Sequence, residues 1–598
     1  MGINVFLFLF IIVLKYPLLL LYPFPGAPRA ADFYSVDLSV IGAFSLYMLF
    51  LKFGNGKFFK RNIFFTASLL LFSVVALYHY LHYQNYSFRE FCFSVVWVTV
   101  PLAVYLYADD FYKFLPGFIL FLYVLNMVYA IPQLMYHREE IGLPANRNWH
   151  GALLLAVTPL FLYYCYLFLR KLRVPARSSV LVLLIPLFLT LAVLYKCYSR
   201  GANIALLCTL FLFAALFLSD AKVTNYKRII FIAVLGTFTF SVCFLLLYGN
   251  LLADAVKHDV RIPLWFGAWN VFTQNPAVGV GAPGYERVLE YSLPIDRFLR
   301  SWYFTVRASH PHNHLLYIAG SFGFFGLSAY LFLWFFPVIY CIKYFGKLSF
   351  QMKLVLFSFI ALTIHAMFDM IVIQWPTVYM FFLFQGLLWH KVFVNNKESE
   401  QEKQFQGFPV AYRMIIFLTA GCILFQAGIM TWQNIRGSIY HRAGLFAFDG
   451  NNRPLALYYF NKSINCSNSP VTLYTAGMLS LLYLNDDNLA LDFFRKLEKH
   501  PAGFVAHMNA HIADCLIRMN RKHEALYYLT QETRAFPISV IAFNNKLMME
   551  KTLCMRNAAE QTAEKLLWIM KLKNITPENF RKIRQNPILD GKYDELNK

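Results

Sequence analysis

The sequence predicts an all-α membrane protein, in which a polytopic bundle of about thirteen transmembrane helices is followed by a soluble α-solenoid. Three observations carry that prediction. Hydrophobic residues fill 59% of the 598 positions and charged ones only 14%, a balance foreign to soluble globular enzymes. The apolar residues gather in runs near the roughly 20 residues that a helix needs to cross hydrocarbon. Beyond about Asn434 these runs stop, and charged and apolar residues alternate at helical spacing instead.

The runs fall at approximately 4–22, 36–53, 63–81, 91–107, 114–135, 151–169, 179–198, 203–219, 229–248, 315–341, 353–371, 376–394 and 413–433. The first is followed by small residues from Ala27 to Ala31, as in a signal peptide. It has a long apolar run and no basic n-region, so it reads as an anchor. The net charge of +22 comes from Lys and Arg that cluster between runs, which argues for orientation signals rather than nucleic-acid binding. Loops after even-numbered runs hold Lys52, Lys57, Lys60 and Arg61, then Arg170, Lys171, Arg173 and Arg177, then Lys222, Lys227 and Arg228. The loops after odd-numbered runs are poorer in them. The positive-inside rule therefore predicts a cytoplasmic N-terminus, with 136–150, 196–202, the long 249–314 loop and the C-terminal region on the outer face. The expected domains are a transmembrane domain over 1–435 and a helical domain over 436–598 on that outer face, with 395–406 a solvated cytoplasmic linker.

Ten cysteines include no CxxC pair, and seven of them, Cys92 to Cys422, lie in or beside apolar segments where a thiol acts as a small hydrophobe. Cys466, Cys515 and Cys554 are too scattered for a disulfide framework or a zinc site. No metal and no cofactor is expected.

The C-terminal region repeats. Ala456-Leu457-Tyr458-Tyr459-Phe460, Ala490-Leu491-Asp492-Phe493-Phe494 and Ala525-Leu526-Tyr527-Tyr528-Leu529 recur at intervals of about 34 residues. Pro501 and Pro537 stand where a second helix should stop. The pattern resembles the tetratricopeptide repeat without its Trp, which implies paired helices and a possible polypeptide partner; a plain helical bundle is the alternative.

Polar residues converge between Tyr248 and Gly326, and most densely in His310-Pro311-His312-Asn313-His314. Polar groups beside an apolar run face a cavity or water, because hydrocarbon leaves them unpaired at a cost of several kcal/mol. Each imidazole suits acid–base work near neutral pH, and each equally suits capping the helix that follows. Their alternating spacing cannot place all three on one helical face, and no adjacent Cys or carboxylate completes a metal set. Arg200, in Tyr198-Ser199-Arg200-Gly201-Ala202, is either a snorkelling anchor or a planar donor for phosphate. Lys196, one turn earlier, is expected to add charge on its face. Arg261 precedes Trp265 and Trp269, spaced i, i+4 on an interfacial helix, where indoles anchor to lipid or stack on a sugar. Gly279-Val280-Gly281-Ala282-Pro283-Gly284 has no preceding strand and holds a Pro, so it marks a tight turn, with close backbone approach to a ligand as a secondary reading. His365 and Asp369, i, i+4 within one apolar run, are expected to pair inside the eleventh helix, where they either orient the site or merely join helices.

Taken together, these motifs resemble the O-antigen ligase and polymerase superfamily of bacterial inner-membrane glycosyltransferases. The resemblance rests on Ser199 to Ala202, on Arg261 with Trp265 and Trp269, and on Pro276-Ala277-Val278-Gly279-Val280-Gly281. It continues through His312-Asn313-His314-Leu315-Leu316 with Gly320, Gly323 and Gly326, and includes Asn146-Arg147-Asn148-Trp149-His150. It implies a GT-C-like bundle and a metal-independent, inverting transfer of glycan from undecaprenyl diphosphate at the periplasmic side. In that reading Arg200 and Arg261 bind the diphosphate and stabilise the leaving group, while His312 activates or orients the acceptor hydroxyl. Asn313 positions acceptor or donor, with His310, His314, Trp265, Trp269, Lys196 and Gly281 as further binding residues. The thirteenth run, the repeat region and the additional His310 and His314 depart from the family pattern. Three functions follow: a ligase acting on lipid A core or protein Ser/Thr, a polysaccharide polymerase, and a non-enzymatic transporter with a binding domain. No internal duplication of the kind common in transporters is visible among the runs.

Overall fold

The computed structural model describes residues 5–9, 45, 48–49, 63–82, 97, 99–135, 147–219, 261–281, 285, 289, 310–371, 377–394, 429, 432–433, 436–467, 469–500, 507–536, 539–572, 575–576 and 578–581. The described residues are helices and their connections, with no strand among them. The apolar helices are α1 (Ile63–His82), α2 (Ala108–Met135), α3 (Arg147–Lys171), α4 (Ala176–Lys196), α5 (Arg200–Ser219), α6 (Arg261–Gln274), α7 (His314–Lys343), α8 (Phe350–Ala366) and α9 (Thr377–Val394). Of these, α2, α3, α4, α5 and α7 are long and apolar enough to cross a membrane, and α1 and α8 hold shorter apolar stretches. The expected spans at 229–248, and most of those at 4–22, 36–53 and 413–433, lie outside the described residues.

One continuous apolar core runs through this bundle, and polar side chains bind its helices together. The Tyr123 hydroxyl of α2 donates to the Pro186 carbonyl of α4 at 2.9 Å, and its ring stacks on Phe161 of α3 at 3.6 Å. Trp334 Nε1 of α7 donates to Thr363 Oγ1 of α8 at 2.8 Å. Trp389 Nε1 of α9 donates to the Leu333 carbonyl of α7 at 2.9 Å.

Two boundaries differ from the sequence expectation. Tyr198 takes a left-handed conformation, φ 48°, between the C-cap Cys197 and Ser199, so Lys196 ends α4 and Arg200 begins α5. The two basic residues are therefore not one turn apart on a shared helical face. Likewise α8 stops at Ala366, which puts Asp369 in the turn beyond the helix rather than within it. There the N–H groups of Phe368 and Asp369 both donate to the His365 carbonyl, at 2.9 and 3.1 Å.

The Gly-rich segment has a structural partner of its own. α7 is broken at Gly323, φ 64° and ψ −165°, a region open essentially to glycine alone. The break frees backbone groups on both sides, and residues 276–281 take them up. Val280 and Gly281 donate to the carbonyls of Gly320 and Ser321 at 3.0 and 2.9 Å, while Phe324 and Phe325 donate to those of Pro276 and Ala277 at 2.6 and 3.2 Å. His79 of α1 adds a contact from Nε2 to the Val278 carbonyl at 2.7 Å. Backbone at this depth must be satisfied internally, and the insertion does so. The close backbone approach that this segment makes is to α7. Gly279→Ala is expected to destabilise the bundle by at least roughly 1–3 kcal/mol, from left-handed strain alone. Its φ is 75°, and a Cβ would also lie 2.5 Å from the Ser321 carbonyl carbon. The check is thermal unfolding in detergent; a wild-type midpoint would contradict this role for the segment.

The C-terminal part comprises the helical stretch 436–449, then α10 (Arg453–Ser467), α11 (Pro470–Leu479), α12 (Asp487–Lys499), α13 (Met508–Arg518), α14 (Lys522–Ala535), α15 (Val540–Thr552) and α16 (Arg556–Leu572). From α10 onward, successive helices pack on their neighbours in sequence, around cores separate from that of the apolar bundle. The repeated Ala456, Ala490 and Ala525 are fully buried, as are Phe460, Phe494 and Leu529 four residues later. Glycines let the paired helices close on those rings: a Cβ at Gly444 or Gly477 would fall 2.5 or 2.6 Å from Phe460 or Phe494. Pro501 and Pro537 lie outside the described residues.

Polar groups crowd around α13. His507 Nδ1 meets Glu532 Oε1 at 2.7 Å, and His511 Nε2 meets the Tyr474 hydroxyl at 3.3 Å. Burial raises the Asp514 carboxyl from 3.8 to about 6, with Arg518 opposing and Glu532 adding to the rise. The unfolded chain loses that proton first, so this group's contribution falls as pH rises from 3.8 to about 6, and its cost is complete above that window. Burial also lowers His511 from 6.5 to about 4, which costs stability in the opposite direction, on acidification. Asp514→Asn is therefore expected to stabilise this part of the chain by roughly 1–2 kcal/mol above about pH 7 and by nothing below about pH 4. Paired melting curves at the two pH values check it.

Candidate active site

The start of α7 sets out the histidines. Asn313 is the N-cap of α7, its Oδ1 accepting from the Leu316 N–H at 3.0 Å, and its Nδ2 donates to the Met367 carbonyl at 3.0 Å. One amide thus starts α7 and ties it to the end of α8. His312, just before the cap, is held at φ 51°, an uncommon conformation for a residue with a Cβ. In that conformation its Nδ1 lies 3.0 Å from Asp369 Oδ1.

Asp369 is well supplied with donors. The Met370 N–H donates to Oδ1 at 2.8 Å, and Asn148 Nδ2, from the first turn of α3, donates to Oδ2. A carboxylate accepting at Nδ1 places the imidazole proton there, which leaves the Nε2 lone pair facing away. The side chain of His312 is 28% exposed and that of Asp369 3%, so the imidazole reaches open space from a buried support.

The other two imidazoles go separate ways. His310 stays beside His312, ring centres 4.5 Å apart and edge to face. His314 is fully buried: it stacks on Trp97 at 5.1 Å and meets Tyr330 and Trp334 at 5.3 and 5.7 Å. The aromatic enclosure separates it from the space that His312 faces.

Small residues bring the cationic segments to the same end of the bundle. A Cβ on Gly201 would lie 2.7 Å from His365 Cδ2, so α5 rests directly on the end of α8. Ser199 Oγ lies 3.4 Å from His365 Nε2. A Cβ on Gly151 would lie 3.1 Å from Ala202 Cβ, which brings α3 against the same turn. Arg200, between these contacts, is exposed at the first residue of α5. Arg261 is the first described residue of α6, half-buried, and α6 packs on α7. The segment around His365 and Asp369 is the meeting point of the start of α5 and the His312 cap.

Trp265, one turn along α6 from Arg261, is half-buried, and its indole N–H has no acceptor among the described residues. Trp269 is 54% exposed and lies against Phe272 at 5.4 Å. Lys196 closes α4, while Gly281 is spent on α7. Sequence reasoning paired Asp369 with His365, to orient the site or to join helices, and named Asn148 only within the family resemblance; that Asn148 and His312 both meet Asp369 was not signalled. Among the described residues, no group of three or more His, Cys, Asp and Glu is arranged to hold a metal ion.

A nucleophile's proton can pass to the outward imidazole nitrogen while guanidiniums and helix N-termini neutralise an anion that forms nearby. That combination suits transfer of a group from an anionic leaving group to a hydroxyl. In comparison with known proteins, the family model described as O-Antigen ligase matches residues 185–331. The match runs from the second half of α4 to the middle of α7. It includes Arg200, Arg261 and His312 and leaves Asn148, His365 and Asp369 outside. No curated protein matches the chain.

Proposed function

We propose that this membrane protein, whose residues 185–331 match the O-antigen ligase family model, moves a preassembled glycan from undecaprenyl diphosphate to an acceptor hydroxyl. The reaction is placed at the periplasmic face of the bacterial inner membrane, in line with the distribution of Lys and Arg between the apolar runs. The acceptor oxygen attacks the anomeric carbon from the side opposite the diphosphate, and its proton passes to His312 Nε2. The bond from the anomeric carbon to the phosphate oxygen breaks, and its electron pair stays on the diphosphate. Arg200 and Arg261 stabilise the charge that grows there. Asp369 is a positioning residue, fixing the His312 tautomer and favouring the imidazolium once formed. The positive charge comes from guanidiniums, so the reaction is read as independent of metal.

The observation that carries this reading is the His312–Asp369 pair, 3.0 Å long, buried on the acid side and open on the imidazole side. It stands where Asn148 of α3, the first turn of α5 and the cap of α7 meet the end of α8. Consecutively packed helices in 436–598 support a polypeptide-binding domain of tetratricopeptide type, and with it a protein Ser/Thr acceptor, beside lipid A core. Reconstitution in liposomes with a defined polyprenyl-diphosphate glycan tests the assignment. Glycan joined to lipid A core or to a Ser/Thr peptide is the expected product; glycan joined only to a second lipid-linked unit would make the protein a polymerase. Removing residues 436–598 is expected to change acceptor choice while donor binding stays near wild type, and an unchanged acceptor range would contradict that role.

A further inference from the structure

His365 stands between the cationic and the basic sides of the site. It is fully buried near the end of α8. Its side chain meets the first turn of α5 on either side of Arg200: Nε2 lies 3.4 Å from Ser199 Oγ, and a Cβ on Gly201 would lie 2.7 Å from Cδ2 and 2.9 Å from Nε2. Ser199 is itself fully buried and starts α5, its Oγ accepting from the Ala202 N–H at 3.3 Å. The ring therefore rests against the backbone that carries Arg200 and bonds the hydroxyl that begins it. Its main chain serves the other side. The His365 carbonyl accepts from the N–H groups of Phe368 and Asp369, at 2.9 and 3.1 Å, and so closes the turn that presents the Asp369 carboxylate to His312. A continuous chain of contacts runs from the Arg200 segment through this one residue to His312.

An imidazole is a costly choice for that position. α8 is mostly apolar, and His365 Nδ1 is buried with no hydrogen-bond partner among the described residues. A buried ring nitrogen left unpaired destabilises the fold whichever tautomer is present. Leu, of similar volume, would fill the space with no polar atom to satisfy. Packing alone therefore favours a hydrocarbon there, and what the imidazole adds is its bond to Ser199.

We propose that His365 is a positioning residue, holding the Arg200 segment in register with the His312–Asp369 pair through Ser199. This rests on the glycosyl-transfer reading above. In-line displacement needs the acceptor oxygen and the departing diphosphate on opposite sides of the anomeric carbon, so base and guanidinium must keep a fixed separation. Each side can still bind its own substrate when that separation is lost. Loss of register therefore falls on turnover while donor binding stays.

The test uses the full chain in liposomes, with a polyprenyl-diphosphate glycan as donor and lipid A core or a Ser/Thr peptide as acceptor. His365→Leu removes the bond to Ser199 and the unpaired nitrogen together. It is expected to lower kcat by about 10-fold to 100-fold, with the donor KM within about threefold of wild type and an unfolding temperature in detergent no lower than wild type. His365→Gln, whose amide reaches about as far as Nε2, should bring kcat back to within about threefold of wild type. A merely structural role predicts another pattern, in which activity falls only as far as stability does. Wild-type kcat for His365→Leu, a loss confined to the donor KM, early unfolding, or a Gln variant no better than Leu would overturn the proposal. If His312→Ala loses transfer while His365→Leu retains it, only this proposal falls. If the wild-type protein transfers no glycan from the lipid carrier, the glycosyl-transfer reading itself falls, and this proposal with it.

Discussion

Replacing His312 with alanine is expected to lower glycan transfer by about 10²-fold to 10⁴-fold, the range associated with loss of a positioned acid–base group. Binding of the donor should change little, because the imidazole acts on the acceptor's proton and not on the diphosphate. His312→Ala also releases Asp369 from its 3.0 Å partner, but Asn148 and the Met370 N–H still hold that carboxylate, so the local fold should survive. Asp369→Asn should reproduce a large part of the loss. It removes the acceptor that keeps the proton on Nδ1, and an Asn whose amide nitrogen faces Nδ1 would favour the other tautomer. Single-turnover transfer with saturating donor measures both. Wild-type rates for His312→Ala would remove the imidazole from the mechanism.

The second large effect is expected at Arg261. Its replacement by alanine should reduce transfer by about 10²-fold to 10³-fold, comparable with removal of one preorganised donor from a developing anion. The protein should stay folded in the membrane, because α6 is anchored by Pro263, Leu264, Gly267, Ala268 and Val271, all buried, rather than by its first residue. Arg261→Lys should restore only part of the activity, since an ammonium keeps the charge but loses the planar, two-point donor geometry. Transfer rate and detergent unfolding temperature, measured on the same preparations, separate chemistry from folding. A variant that melts early and is inactive for that reason would contradict the assignment.

The apolar runs made most of the described bundle legible, because length and composition are what hydrocarbon selects. The expected 63–81 and 376–394 agree closely with α1 and α9, and 315–341 with α7. The misplaced end of α8 has a physical cause. Met367, Phe368, Met370 and Ile371 continue the apolar run past Ala366, but the Met367 carbonyl is taken by Asn313 and the Met370 N–H by Asp369. Capping by a side chain 54 positions away leaves no trace in local hydropathy. The same holds for Tyr198, a residue type with no preference for the left-handed conformation that it adopts between α4 and α5.

The site was legible in its residue types and less so in its pairings. Arg200, Arg261 and His312 stood out as polar groups at the edges of apolar runs. The support for His312 did not, because His365 seemed the natural partner of Asp369 at helical spacing and the helix ends before that spacing applies. The glycines between 276 and 281 signalled a turn. What the turn serves became visible only when Gly323 was seen to break α7 and expose four backbone groups.

The most direct test of the account is a structure of the full chain bound to a nonhydrolysable polyprenyl-diphosphate analogue. The account predicts phosphate oxygens within about 3 Å of the guanidiniums of both Arg200 and Arg261, with His312 Nε2 facing the side of the anomeric carbon away from the diphosphate. A diphosphate seated elsewhere, or seated so that His312 cannot approach the acceptor side, would contradict it.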